Sequence, residues 1–263
     1  MIPATRISEL FGTQLPILAG GLQWLSTPEY VAAAGRAGII GFLSAASYED
    51  GASLRDAIRR CRDLCGEVSF GVNISMLPKL VEGDRTQAVV DVVATEGVAY
   101  VETSGRNPAP YLPRLRAAGC KVVHKVPTVR HALAAQAAGV DAVAVVGAEC
   151  GGHPGMEMVG TFVQAAVAAR RLDIPLAVGG GVGTGAHIVA ALALGADGVV
   201  VGTRFLVAEE IWAHADYKRR LITAEATDTT LILQSLRNTA RVLRNATTEA
   251  IQTLEEQGLG WTI

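Results

Sequence analysis

The sequence predicts an α/β protein of the (β/α)8 class, a TIM barrel, with a C-terminal helical appendix. Short apolar runs alternate with longer amphipathic, alanine-rich stretches, and the alternation recurs eight times. The short runs are continuously apolar, as expected of parallel strands buried on both faces and covered by helices. A length of 263 residues is long for one sandwich or bundle but ordinary for a closed barrel of repeated strand–helix units.

In chain order the expected strands are PILA at 16–19, IIGFL at 39–43, VSFGVN at 68–73, AYVET at 99–103, KVVHKV at 121–126, AVAVV at 142–146, PLAV at 175–178 and GVVV at 198–201. Helices are expected between and after them, near 28–37, 51–65, 84–96, 109–118, 128–138, 158–171, 185–194 and 204–214. Beyond residue 214 the strand signal stops. The stretch 229–257 reads as one or two helices, with Arg237, Arg241 and Arg244 on one solvated face. The chain therefore divides into a barrel domain, 1–214, and a helical extension, 215–263, packed on it.

Composition removes several function classes. Lys plus Arg at 23 against Asp plus Glu at 25 leaves a formal charge of −2, so no global field recruits nucleic acid or an anionic membrane. The opening MIPATRISEL lacks the apolar stretch of a signal peptide, and no run has the length of a membrane span; a cytoplasmic protein is expected. Cys61, Cys65, Cys120 and Cys150 are too few and scattered for a disulfide framework, so reduced thiols are expected. No metal site is expected: paired C-x-x-C and H-E-x-x-H motifs are missing, and beside Cys150 and His153 only Glu149 could serve as a third ligand. G-x-S-x-G and Walker sequences are missing too.

In barrels of this class, chemistry gathers at the carboxyl ends of the strands. The residues following the apolar runs are Gly20 and Gly21, Ser44, Asn73, Thr103 and Ser104, His124 and Lys125, the segment GAECGGHPG at 147–155, the glycines 179–181, and Gly202 with Thr203. Glycine turns after the seventh and eighth strands offer backbone N–H groups and a helix amino end to a phosphate. Gly181–Ala186 also fits the G-x-G-x-x-A dinucleotide fingerprint, but the following strand ends in Gly202-Thr203 rather than an acid, and its one acid, Asp197, stands at its start. In GAECGGHPG, Gly151 and Gly152 allow backbone to lie flat against a planar ligand while His153 exchanges a proton near neutral pH. On the residues alone, a phosphometabolite-binding barrel without redox chemistry stays open beside an enzyme.

The segments FGVNISMLP, GAECGGHPG and VGGGVGTGAHIVAALALGADGVVVGTRFLVAEE, in that order, resemble those of the nitronate monooxygenase (2-nitropropane dioxygenase) family, which includes FMN-dependent enoyl-thioester reductases. The resemblance runs from about residue 6 to about residue 245. It implies a TIM barrel carrying FMN, with the phosphate on Gly180, Gly181, Gly202 and Thr203 and the isoalloxazine edge near Gly20, Gly21, Asn73 and Lys125. It places Glu149, Gly151 and Gly152 in the cofactor-binding set, and His153 beside the flavin as acid/base catalyst. The implied function is oxidation or reduction of a small organic substrate at the barrel mouth, by nitronate oxidation or by NAD(P)H-dependent reduction of an acyl-carrier or CoA enoyl thioester. ILAGGLQWLS is similar to the GGM form of the enoyl-reductase branch, with Leu22 in the methionine's place. Family members usually continue past the terminal GLGWTI, so part of the cover over the site is expected either to be absent or to be donated by a second copy in a homo-oligomer.

Overall fold

The computed structural model describes residues 3–76 and 85–258. Eight parallel strands close in sequence order: β1 Ile17–Ala19, β2 Ile40–Ser44, β3 Phe70–Met76, β4 Tyr100–Gly105, β5 Lys121–Val126, β6 Ala142–Val146, β7 Leu176–Gly179 and β8 Gly198–Val201. The seam is sealed by β1 on β8, with Leu18 opposite Val200. Each predicted strand is present, with ends shifted by two or three residues at most.

The helices in order are α1 Arg6–Phe11, α2 Pro28–Arg36, α3 Gly51–Cys65, α4 Thr86–Thr95, α5 Leu112–Ala117, α6 Val129–Ala138, α7 Thr161–Ala169, α8 Gly185–Ala193, α9 Ala215–Ile222 and α10 Ala246–Glu256. α3 occupies the expected 51–65 because both ends are marked chemically. A capping box between Asp50 and Ser53 starts it, and Gly66 at φ 57° ends it. α1 was not expected from the pattern. It plugs the amino-terminal end of the barrel, where fully buried Ile7 and Phe11 meet Phe42 and Tyr100. Arg6 ties that plug to β8 by a two-pronged bond to Asp197 (2.9 and 2.7 Å).

Two expectations are corrected. Residues 204–214 hold only a 3-10 turn, Thr203–Val207, and the next α-helix begins at Ala215 behind the His214 cap. Residues 229–257 are not one or two helices throughout. They open with an antiparallel ribbon, β9 Thr229–Ile232 and β10 Ala240–Leu243, and only α10 is helical. Arg237, Arg241 and Arg244 therefore share no helix face: Arg237 sits in the ribbon's turn at φ 52°, and Arg241 lies within β10. The expected start of the 84–96 helix, the last residues of FGVNISMLP and the end of GLGWTI lie outside the described residues.

Side chains alternate between the barrel interior and the helix-facing layer. The interior holds Leu18, Ile40, Phe42, Val123, Ala142, Ala144, Ala177 and Val200 as one buried cluster. Inward parity then continues toward the carboxyl ends from Tyr100 to Glu102 and from Val123 to Lys125. Among the described residues no helix is long and apolar enough to cross a membrane.

Candidate active site

Among the described residues, polar groups enter the barrel interior near its carboxyl end, above the apolar layers. Asn73 and Glu102 are register partners on β3 and β4, and Glu102 Oε2 accepts from Asn73 Nδ2. The same oxygen accepts from Lys125 Nζ at 3.1 Å and, more weakly, from Gly21 N at 3.4 Å. Glu102 is fully buried, and its other oxygen, Oε1, has no partner among the described residues. Asn73 is buried and Lys125 half-buried. Gly21 must be glycine here, because a Cβ would lie 2.5 Å from Asn73 Cβ; at Gly20 a Cβ would reach within 4.0 Å of Lys125 Nζ. Four predicted residues thus meet around a carboxylate that sequence reasoning missed. Its signal was an acid inside the apolar run AYVET. His124 and Thr103 have the opposite parity: they bond each other at 2.8 Å, buried on the helix side of the wall, and desolvation pulls the imidazole down to about 4.

Across the mouth, three glycine-bearing loops converge. Gly147 N donates to Gly179 O at 2.9 Å, and a Cβ on Gly180 would lie 3.1 Å from both Cys150 N and Gly147 O. Gly151 approaches Thr203, its Cβ position lying 3.3 Å from Thr203 Oγ1. Gly180 and Gly181 turn through φ 98° and 71°, delivering the chain to the amino end of α8. Gly202 precedes the 3-10 turn and has no atom within 4 Å of its Cβ position. The predicted Gly151, Gly180, Gly181, Gly202 and Thr203 are therefore neighbours after β6 to β8, Asn73 and Lys125 stand on β3 and β5, and Gly20 and Gly21 lie between the two groups, with Gly20 N donating to Val201 O at 3.3 Å and the Gly21 Cβ position against Asn73.

The 147–155 loop is held at both ends. Glu149 turns its carboxylate onto the start of α7, accepting from Thr161 N and Oγ1, both at 2.9 Å. This caps the helix and satisfies an amide that begins it. Gly152, at φ 82°, forms an antiparallel bridge with Arg241, N to O at 3.0 Å one way and 2.7 Å the other. The Arg241 guanidinium adds bonds to Ala148 O (2.9 Å) and Thr229 Oγ1 (3.1 Å). His153, next along, is exposed and has no hydrogen-bond partner among the described residues. Desolvation by its surroundings lowers its pKa below the ordinary histidine value, so the neutral ring prevails at pH 7. Burial pushes the neighbouring Cys150 thiol up, leaving it protonated and a poor nucleophile.

A family model described as nitronate monooxygenase matches residues 4–262. The chain belongs to the nitronate monooxygenase family. The chain is similar to the (3aS,4S,5R,7aS)-5-hydroxy-7a-methyl-1-oxo-octahydro-1H-indene-4-carboxyl-CoA dehydrogenase of Rhodococcus jostii, 32% identical over 97% of this chain and 69% of that protein. A probable nitronate monooxygenase of Staphylococcus aureus is 26% identical over 95% of this chain and 81% of its own. Among solved structures, FabK from Thermotoga maritima superposes with TM-score 0.89 at 35% identity, covering 97% of this chain and 79% of that one. A nitroalkane oxidase from Streptomyces ansochromogenes superposes with TM-score 0.81 at 28% identity, covering 97% and 82%. The protein is thus an enzyme of a flavin-dependent oxidoreductase family, built on a TIM barrel.

Proposed function

We propose that this chain binds FMN across the barrel mouth and with it oxidises or reduces a small organic substrate beside His153. The observation that carries the proposal is the two-sided layout: glycine loops 147–152, 179–181 and 202–203 converge at one side, and Asn73, Glu102 and Lys125 gather on the other. A ligand with an anionic end and a planar polar end suits that layout. The residues fit such a group. Gly181 and Gly202, with Thr203 and the α8 amino end, would receive the phosphate through N–H groups, without a cationic side chain. Gly20, Gly21, Gly151 and Gly152 would let the ring system lie close to backbone, and Asn73 and Lys125 would donate to its polar edge. Glu149 supports this reading indirectly, since its carboxylate is already engaged by Thr161 and fixes the loop that carries Gly151 and Gly152.

When bound, a flavin supplies two-electron redox chemistry. The chain's own part is to orient the substrate and move a proton. His153, neutral at pH 7 and without a hydrogen-bond partner among the described residues, takes a proton at a ring nitrogen when the substrate is oxidised and returns one when it is reduced. The nitronate reading is supported by the family model and by the nitroalkane oxidase structure. The thioester reading is supported by the carboxyl-CoA dehydrogenase relatives, whose names contain a CoA thioester; NAD(P)H as donor is part of the proposal. A cytoplasmic setting, in which all four cysteines stay free thiols, belongs to the same proposal.

Anaerobic stopped-flow spectroscopy tests both. Bleaching of a yellow protein by a nitronate supports the first reading, and bleaching by NAD(P)H with reoxidation by an enoyl thioester supports the second. A colourless protein that takes up no FMN on reconstitution returns the chain to a phosphometabolite-binding barrel.

A further inference from the structure

Glu102 is the one fully exposure-free carboxylate among the described residues, and it stands where the barrel changes from apolar filling to polar mouth. A charge there is costly unless compensated. Its compensation is unequal between the two oxygens. Oε2 collects Asn73 Nδ2, Lys125 Nζ and Gly21 N, whereas Oε1 collects nothing. Every donor on Oε2 belongs to a residue at the proposed flavin edge, so the carboxylate reaches the mouth only through them. A salt bridge whose sole purpose was stability would be expected to do no better than an apolar pair of similar volume, because desolvation consumes most of the Coulomb gain. Placed under a cofactor, the same pair fixes a lysine in one geometry and sets the net charge that the cofactor meets.

We infer that Glu102 is a positioning residue. It holds Lys125 and Asn73 against the flavin edge and, by cancelling the Lys125 charge, keeps the bound flavin from being drawn toward its anionic reduced form. This inference rests on the FMN reading above. Lys125 without Glu102 would present an uncompensated cation in a poorly solvated wall, where charge effects are least screened. Reduced flavin, carrying more negative charge than oxidised flavin, would then be held more tightly relative to the oxidised form.

The experiment is a spectroelectrochemical titration of reconstituted protein, which reads a midpoint potential without any turnover. Glu102→Gln keeps the shape and an acceptor oxygen for Lys125 but removes the charge. It should raise the ratio of reduced to oxidised affinity at least tenfold, a rise of ~30 mV for a two-electron couple. Glu102→Asp, which keeps the charge, should stay within about twofold of wild type in that ratio, about 0.4 kcal/mol. A residue serving only the fold would disturb thermal stability in both variants without moving the potential. If Glu102→Gln does not fold, Lys125→Met reads the same balance from the other side and should lower the potential. Wild-type protein that takes up no FMN sinks the flavin reading and this inference together. Wild-type protein that binds FMN, with an unmoved potential in Glu102→Gln or in Lys125→Met, overturns the role of Glu102 alone.

Discussion

Gly152 and Arg241 exchange two backbone hydrogen bonds, at 3.0 and 2.7 Å, so the C-terminal ribbon is stitched to the loop that carries His153. The Arg241 side chain doubles the stitch by donating to Ala148 O, 93 residues away in sequence. Replacing Arg241 by Ala keeps the backbone pair but removes both guanidinium bonds. Hydrogen bonds from charged donors contribute about 1.5–3 kcal/mol, so amide exchange across 147–155 should accelerate about tenfold or more while the barrel strands keep their protection. Hydrogen–deuterium exchange read by mass spectrometry checks this; unchanged exchange in the loop would mean that the ribbon does not hold it.

His153→Asn keeps a small polar side chain but cannot exchange a proton. General acid/base groups contribute about a hundred- to ten-thousand-fold. Turnover of flavin-saturated variant should therefore fall by at least about two orders of magnitude, with FMN still bound. Because the pKa of His153 is lowered from the ordinary value, the ring is already mostly neutral at pH 6.5 and takes up its proton on acidification below that point. The wild-type rate for substrate oxidation should lose its base on acidification below that point, and the variant should not show this limb. Turnover within about threefold of wild type would assign the histidine to loop shape only.

Gly181 has φ 71°, and its Cβ position lies 3.4 Å from Glu149 Cβ. Gly181→Asp would put a second carboxylate beside Glu149 and beside the proposed phosphate cradle. Charge repulsion a few ångströms from a phosphate is on the order of several kcal/mol at intermediate dielectric. FMN retention on gel filtration should fall sharply while circular dichroism still reports a folded barrel. Full retention of flavin by a stable variant would move the phosphate elsewhere.

His124 makes a prediction about stability. Its folded pKa, about 4, lies below the unfolded value of 6.5, so the unfolded chain binds the extra proton first as pH falls. Its neutral form is fully compatible with the fold above pH 6.5, and stability drains away between pH 6.5 and 4, by about 3 kcal/mol in all. Denaturant midpoints should drop across that window, and His124→Gln, which can still bond Thr103, should flatten the drop. An equally steep loss in the variant would place the titrating group elsewhere.

The barrel is written in local pattern. Eight strands buried on both faces need continuous apolar runs, and that pattern is local enough to be read from PILA to GVVV. Local sequence also determined where glycine had to stand, because a turn such as 180–181 forbids most side chains whatever surrounds it. The end of α3 was legible for the same kind of reason, since caps are written in neighbouring residues. Features that depend on partners distant in the chain emerge only in the folded molecule. In TTLILQSLRNTARVLRN, arginines spaced by four and three suit a helix, yet β9 and β10 form by pairing with each other, and Arg241 then bonds Gly152 across the fold. Glu102 was visible as an acid in an apolar strand, but its meaning came from inward parity, which sets its carboxylate among Asn73, Lys125 and Gly21 from three other strands or their loops. Periodicity ranks the faces of one element; it cannot say which charges from different elements will share one buried oxygen.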